Sequence, residues 1–191
     1  MKKQLLAVIT LVVLSASCAS AQAVWGIRAG LSKPSISFSG SGVSASIDGK
    51  FGVEIGPVLY YSLKNNFYIN SGLMFSMKSF DFGDYGLEDE GYSPTIDMYY
   101  ATIPVYAGYS FPVGSVSLYA QAGPYFEYKI SESEDSGLNS FNAGLGIMAG
   151  INLNRFKVEI GYQGGLVNLI PDLDGVTTKL SSLFLGVSYV F

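Results

Sequence analysis

The chain has 191 residues, 49% of them hydrophobic and 14% charged, with a formal net charge of −4 and no histidine. That length holds one domain, and an acidic chain without a basic stripe argues against a nucleic-acid partner. Such apolarity without a long apolar run after the first residues means that hydrophobic side chains are spread by alternation, as in a sheet; the supply of Gly (23), Tyr (14) and Phe (12) suits a membrane barrel, which needs small inward residues and aromatic girdles.

The first 21 residues read as a secretory signal peptide: Lys2 and Lys3, an apolar run from Leu5 to Leu14, then Ala19-Ser20-Ala21 before Gln22. The run is shorter than the roughly 20 residues a membrane-spanning helix requires. Residues 22–191 are expected to form the mature domain, with a charge of about −6 once both lysines leave. Cys18, the one cysteine, lies in the leader. Lipid attachment there would anchor the chain rather than make it span, but Ser15 occupies the place where lipoprotein signals carry a branched aliphatic residue.

The first predicted strand is VWGIRAGLSK, residues 24–33, with Trp25, Ile27, Ala29 and Leu31 on one face and Gly26, Arg28, Gly30 and Ser32 on the other. The same two-residue period restarts near Phe51, Phe67, Tyr99, Val116, Phe141, Phe156 and Leu180, which makes eight segments. Each is long enough for a tilted membrane strand. The connectors alternate in length: 34–49, 81–97, 131–140 and 170–178 are long, whereas 64–66, 112–115 and 152–155 are short. Short periplasmic turns and long outer loops are the habit of an up-and-down barrel. The expected fold is therefore all-β, an eight-stranded antiparallel up-and-down transmembrane β-barrel in the outer membrane.

Charge gives an independent check, because a charge facing lipid at mid-membrane costs about 2 to 4 kcal/mol. Arg28, Glu54, Lys78, Glu127, Lys129, Lys157 and Glu159 all share the face of the glycines and polar residues. Thirteen of 14 strand glycines also point inward, and Gly164 alone points out. All twelve remaining acids fall in the long connectors, while Lys64 and Arg155 lie in short ones. Pro57, Pro104 and Pro124 interrupt alternating segments and cannot donate to the ladder, so bulges are expected there. The chain closes on Leu183, Leu185, Val187, Tyr189 and Phe191, an alternation ending in an aromatic. This resembles the carboxy-terminal assembly signal by which the barrel assembly machinery takes up its clients, with Tyr189 and Phe191 as its aromatic members.

Several phrases carry a family resemblance: YATIPVYAGYSF (100–111), YAQAGPYFEY (119–128), FNAGLGIMAG (141–150) and VEIGYQGGLVNL (158–169). With the closing LFLGVSYVF they resemble the PorT-like outer-membrane β-barrels abundant in Bacteroidetes; the Ile103-Pro104 strand and the Gly-Tyr-Gln-Gly-Gly-Leu run are the more specific. The resemblance implies a small integral barrel and brings no catalytic residues with it. One branch of those proteins is tied to type IX secretion, a role the resemblance does not transfer.

The chemistry sought gives little. Barrel enzymes of this size rely on histidine, so those mechanisms lose their base here; Ser76, Ser117 and Glu54 have no supporting spacing, and the chain reads as a non-enzyme without cofactor. Asp84, Glu88 and Asp89 are weak candidates for calcium within the acidic 81–97 connector, which otherwise serves as a solvated loop. Tyr60, Tyr61, Tyr68, Tyr99, Tyr100 and Tyr109 are expected in interface belts or in the lumen. In the lumen, Arg28 should meet Glu54, with Glu159 as a further member of one ion-pair cluster, because an isolated buried ion is strongly disfavoured. An eight-stranded barrel is just wide enough for side chains to fill. The expected function is a structural or interaction protein presenting four acidic loops to a protein or surface polymer. The alternatives are a narrow pore or carrier for a small hydrophobic molecule, and a soluble periplasmic barrel.

Overall fold

The computed structural model describes residues 23–40, 43–81, 95–132, 138–170 and 176–191. Ten strands occupy them: β1 (Ala23–Gly40), β2 (Val43–Asp48), β3 (Gly52–Ser62), β4 (Phe67–Gly72), β5 (Met74–Asp81), β6 (Thr95–Val113), β7 (Val116–Glu132), β8 (Phe141–Leu153), β9 (Phe156–Gly165) and β10 (Val176–Val190). β2 continues β3 and β4 continues β5, so the ten strands make eight staves. All neighbours are antiparallel, and β1 closes the ring by pairing with β10 on one edge and with β3 and β2 on the other. Followed around the ring, the row of partners that starts at Gly26 returns to β1 at Ile36, ten residues on. Such a stagger obliges the strands to tilt steeply against the barrel axis.

The prolines act differently from the bulge expectation. Registers run unshifted past Pro57, Pro104 and Pro124. Instead each proline costs a ladder bond locally. Leu73 N–H donates to Pro57 O at 3.1 Å, but Pro57 has no N–H to return, and the β4–β5 stave is interrupted at Leu73 without losing register. The register shifts lie elsewhere, at Tyr99/Tyr100, where β7 carries one residue more, and at 49–51 between β2 and β3. Glu127 and Lys129 consequently keep their inward orientation.

At one end the staves join through tight turns. Asn65 and Asn66 (φ 59° and 64°), Gly114 (φ 62°) and Asn154 (φ 56°) take the left-handed backbone that such turns need, which asparagine and glycine tolerate best. At the other end the long connectors are partly strand: β1 runs to Gly40 and β2 forms a hairpin with it, so the stretch 34–49 is mainly sheet rather than loop. Residues 1–22, with the leader and Cys18, and the calcium candidates Asp84, Glu88 and Asp89 lie outside the described residues.

Alternation separates two surfaces. Ile147, Ile160 and Leu145, on neighbouring staves, are each about 60% exposed on the outer wall. Near the tight turns, Phe67–Tyr109–Phe111 and Phe156–Tyr189–Phe191 form two chains of edge-on rings, 4.6 to 5.6 Å between centroids, as an aromatic girdle. If this wall faces lipid, Ile160→Arg should lower the unfolding free energy in phospholipid vesicles by about 2 to 4 kcal/mol. A loss below about 0.5 kcal/mol in a urea titration would show that Ile160 does not meet hydrocarbon.

Candidate functional site

The lumen is the place where chemistry could occur, and its packing rests on large side chains laid over glycines. The ring of Phe184 covers Gly30 and Gly186, Tyr106 reaches Gly146, Tyr119 lies over Gly150, Tyr125 over Gly144 and Tyr68 over Gly108, so that a Cβ at any of these glycines would collide with the ring. Inward glycines are thus the complement of inward aromatics, making room for a ring on another stave or, as Gly186 does for Phe184, on their own.

The seven inward charges are all buried. Arg28 Nε lies 2.5 Å from Glu159 Oε1, and Arg28 Nη2 donates to Asn70 Oδ1 at 3.2 Å. Tyr119 donates its hydroxyl proton to Glu159 Oε2 at 2.8 Å. The expected Arg28–Glu54 contact is not made: the two groups are not within ion-pair distance. Glu159 reaches Arg28 across β10, where the inward residues between them are Gly186 and Ser188, while Glu54, opposite Gly30 on β3, makes no ion pair among the described residues. Glu54 stands beside Ser76 on the neighbouring stave, and Ser117 belongs to the far, tight-turn end of β7, so these three groups make no catalytic constellation.

A second network surrounds Glu127, whose carboxylate receives Lys78 Nζ at 2.6 Å, Thr102 Oγ1 at 3.1 Å and Asn142 Nδ2 at 2.9 Å. Nearer the outer mouth Lys129 bonds Glu132 at 2.9 Å and the Leu138 carbonyl at 2.9 Å. Glu132, an acid of the 131–140 connector in the sequence, thus joins the end of β7 and pairs with a lumen lysine. Near the tight turns Lys157 Nζ sits among the rings of Tyr60, Tyr119 and Tyr68, at 4.3, 4.6 and 5.4 Å from their centroids, a cation–π cage. Alternation marks Lys157 and Tyr119 as inward, but only register shows that they meet. With Glu132 included, these lumen charges are four cations and four carboxylates.

Both mouths are filled. Ile36, Phe80, Met98, Tyr100, Leu169 and Leu180 form an apolar cap at the outer mouth, with Leu138 packed against it, so that connector residues as well as strands close this end. Val58, Tyr60, Tyr68, Met74 and Tyr119 occupy the other mouth, and Tyr106, Tyr125, Met148 and Phe184 the middle. Of the tyrosines read as belt or lumen residues, Tyr60, Tyr68 and Tyr100 are buried inside, while Tyr99 is 43% exposed and Tyr109 joins the girdle. Among the described residues no group of carboxylates could hold a metal ion.

Residues 18–171 match the family described as "Outer membrane protein beta-barrel domain". The chain belongs to that family. Its barrel is therefore an outer-membrane barrel, and the apolar wall is its lipid-facing surface. Among solved structures, Neisserial surface protein A (NspA) is similar with 18% identity and a TM-score of 0.51, over 87% of this chain and 97% of that one. Ail, the attachment invasion locus protein of Yersinia pestis, solved in complex with the heparin analogue sucrose octasulfate, has 21% identity and a TM-score of 0.42, over 89% and 99%. The N-terminal β-barrel domain of Pseudomonas aeruginosa OprF has 14% identity and a TM-score of 0.33, over 85% and 97%. At these identities the likeness to NspA concerns the fold. A comparison with curated proteins gave no match.

The central pair can be tested by a double-mutant cycle. Arg28→Met and Glu159→Gln should each cost about 3 kcal/mol in urea unfolding, because each strands a buried charge. The double variant should lose less than the sum, with a coupling of about 1 to 3 kcal/mol. The corresponding Arg28–Glu54 cycle should show weaker coupling; a stronger one would make Glu54 the true partner.

Proposed function

We propose that this outer-membrane barrel is a structural or interaction protein: a closed scaffold that holds its acidic outer connectors toward a protein or surface polymer outside the cell. The observation that carries this reading is the lumen, which is packed at both mouths and the middle and balanced in charge. A conducting pore needs a continuous wet path lined by groups that bind and release. Here rings, methionines and bonded ion pairs stand across that path. The packed interior equally disfavours a carrier for a small hydrophobic molecule, and no residue set in it suggests catalysis or a cofactor. At a finer level the phrases on β6 to β10 fit the PorT-like group of barrels.

Export belongs to the same reading. Residues 1–21 direct the chain across the inner membrane and are removed before Gln22, and the closing strand is then handed to the assembly machinery. Phe191 N–H donates to Trp25 O at 2.9 Å, so the terminal aromatic lies at the seam where the last strand meets the first.

Two measurements address these statements. Purified protein in planar bilayers should give no reproducible discrete openings; regular single-channel steps from pure protein would overturn the closed-barrel reading. Phe191→Lys, expressed at native level, should leave leader cleavage unchanged and reduce the heat-modifiable barrel recovered in the outer membrane. Normal insertion of that variant would remove Phe191 from the assembly signal.

A further inference from the structure

Two exceptions to the inside–outside rule meet at one place on the outer wall. Lys33 faces outward on β1, opposite Leu183 on one side and the irregular 49–51 segment with Phe51 on the other; Leu183 is 53% and Phe51 74% exposed. It is thus a cation at the level of apolar belt residues. Gly164 is the strand glycine that points outward, and it shares a row with Ser181 and Ser35 across β9, β10 and β1. The Tyr162 ring lies against Gly164, Ser35 and Ser181 make a low floor beside it, and a hollow of about 240 Å³ lies at this place, lined by Lys33, Ser35, Asp48, Tyr162, Ser181 and Leu183, into which a side chain at Gly164 would push the ring.

We propose that this hollow binds the headgroup of a phosphorylated glycolipid of the outer leaflet. The position selects a lipid: above Leu31 and Leu183 the outward residues of β1 and β10 turn polar, as Lys33, Ser35, Ser37 and Ser39 and as Ser181, Lys179 and Thr177. The hollow therefore straddles the boundary between hydrocarbon and headgroups, at the end away from the tight periplasmic turns. The chemistry selects the headgroup. Lys33 supplies a cation for phosphate. Its contact with Asp48 is loose, 3.6 Å between side chains that are 44% and 61% exposed, so the ammonium can turn toward a ligand with little loss. The Ser35 hydroxyl, and the lone pairs of the Ser181 hydroxyl, whose proton goes to the Ser35 carbonyl at 3.4 Å, match sugar hydroxyls, which a phosphodiester lipid without sugar offers poorly. The Tyr162 ring and Leu183 give the sugar face and the first acyl carbons an apolar wall.

The test uses full-length mature barrel purified in a neutral detergent, with thermal unfolding followed by heat-modifiability. Monophosphorylated lipid A should raise the midpoint by about 5 °C, and the same glycolipid without phosphate, or phosphatidylglycerol, by clearly less. Lys33→Gln and Gly164→Leu, both on the exposed wall, should fold and lose the increment, while Lys64→Gln in a periplasmic turn keeps it. The proposal is overturned if Lys33→Gln and Gly164→Leu respond like the native protein, or if phosphatidylglycerol matches the phosphorylated glycolipid.

Discussion

Everything inside this barrel follows from one constraint: a narrow tube must be filled by the side chains of its own wall, and the charges among them must be neutralised where water is scarce. A lone buried ion is held at a cost of several kcal/mol, whereas a bonded pair is tolerated. The lumen meets this with paired networks at successive levels, Arg28–Glu159 with Tyr119 and Asn70, Lys78–Glu127 with Thr102 and Asn142, and Lys129–Glu132. Glu54 and Lys157 are the departures: Glu54 makes no ion pair among the described residues, and Lys157 is held by three tyrosine faces. The quadrupoles of those rings give an ammonium a favourable site that needs no carboxylate.

Filling imposes the second half of the pattern. A ring that lies flat along the inner wall needs places without a side chain beneath it, and the inward glycines supply them, as Gly186 on its own stave and Gly30 on the next do for Phe184. Aromatic and glycine content are therefore coupled quantities here.

The periodicity of two makes much of this legible in the sequence. Strand number, strand faces and the inward set of seven charges follow from alternation, since a half-buried strand forces it. What alternation cannot carry is the relation between staves. Arg28 could be placed inside but not matched to Glu159, because that depends on the size of the residues in between; Lys157 could be placed inside but not in its cage. The prolines misled for a related reason. A missing N–H need not shift register when only one ladder bond is lost, as at Pro57 and Leu73, and the shift at Tyr99/Tyr100 carries no proline signal. The stretch 34–49 reads as a loop because proline, serine and glycine crowd it, yet Ile36 and Phe38 keep the two-residue period between Ser35, Ser37 and Ser39, and pairing with β10 and β2 extends the sheet through them.

The two rims are built on different principles, and the difference bears on where function can reside. At the periplasmic rim, tight turns, two aromatic chains and the start of β1 beside the end of β10 leave little variable surface. At the outer rim β1, β2 and β10 continue past the apolar belt as a polar sheet, while Leu138 and Leu169 turn back into the mouth and seal it. Sealing the tube from connector residues couples the lumen to the outer connectors mechanically: their bases are fixed by the cap rather than left to hang from the strands. On the proposed function, recognition outside the cell draws on that firm base while the packed, charge-paired lumen serves stability.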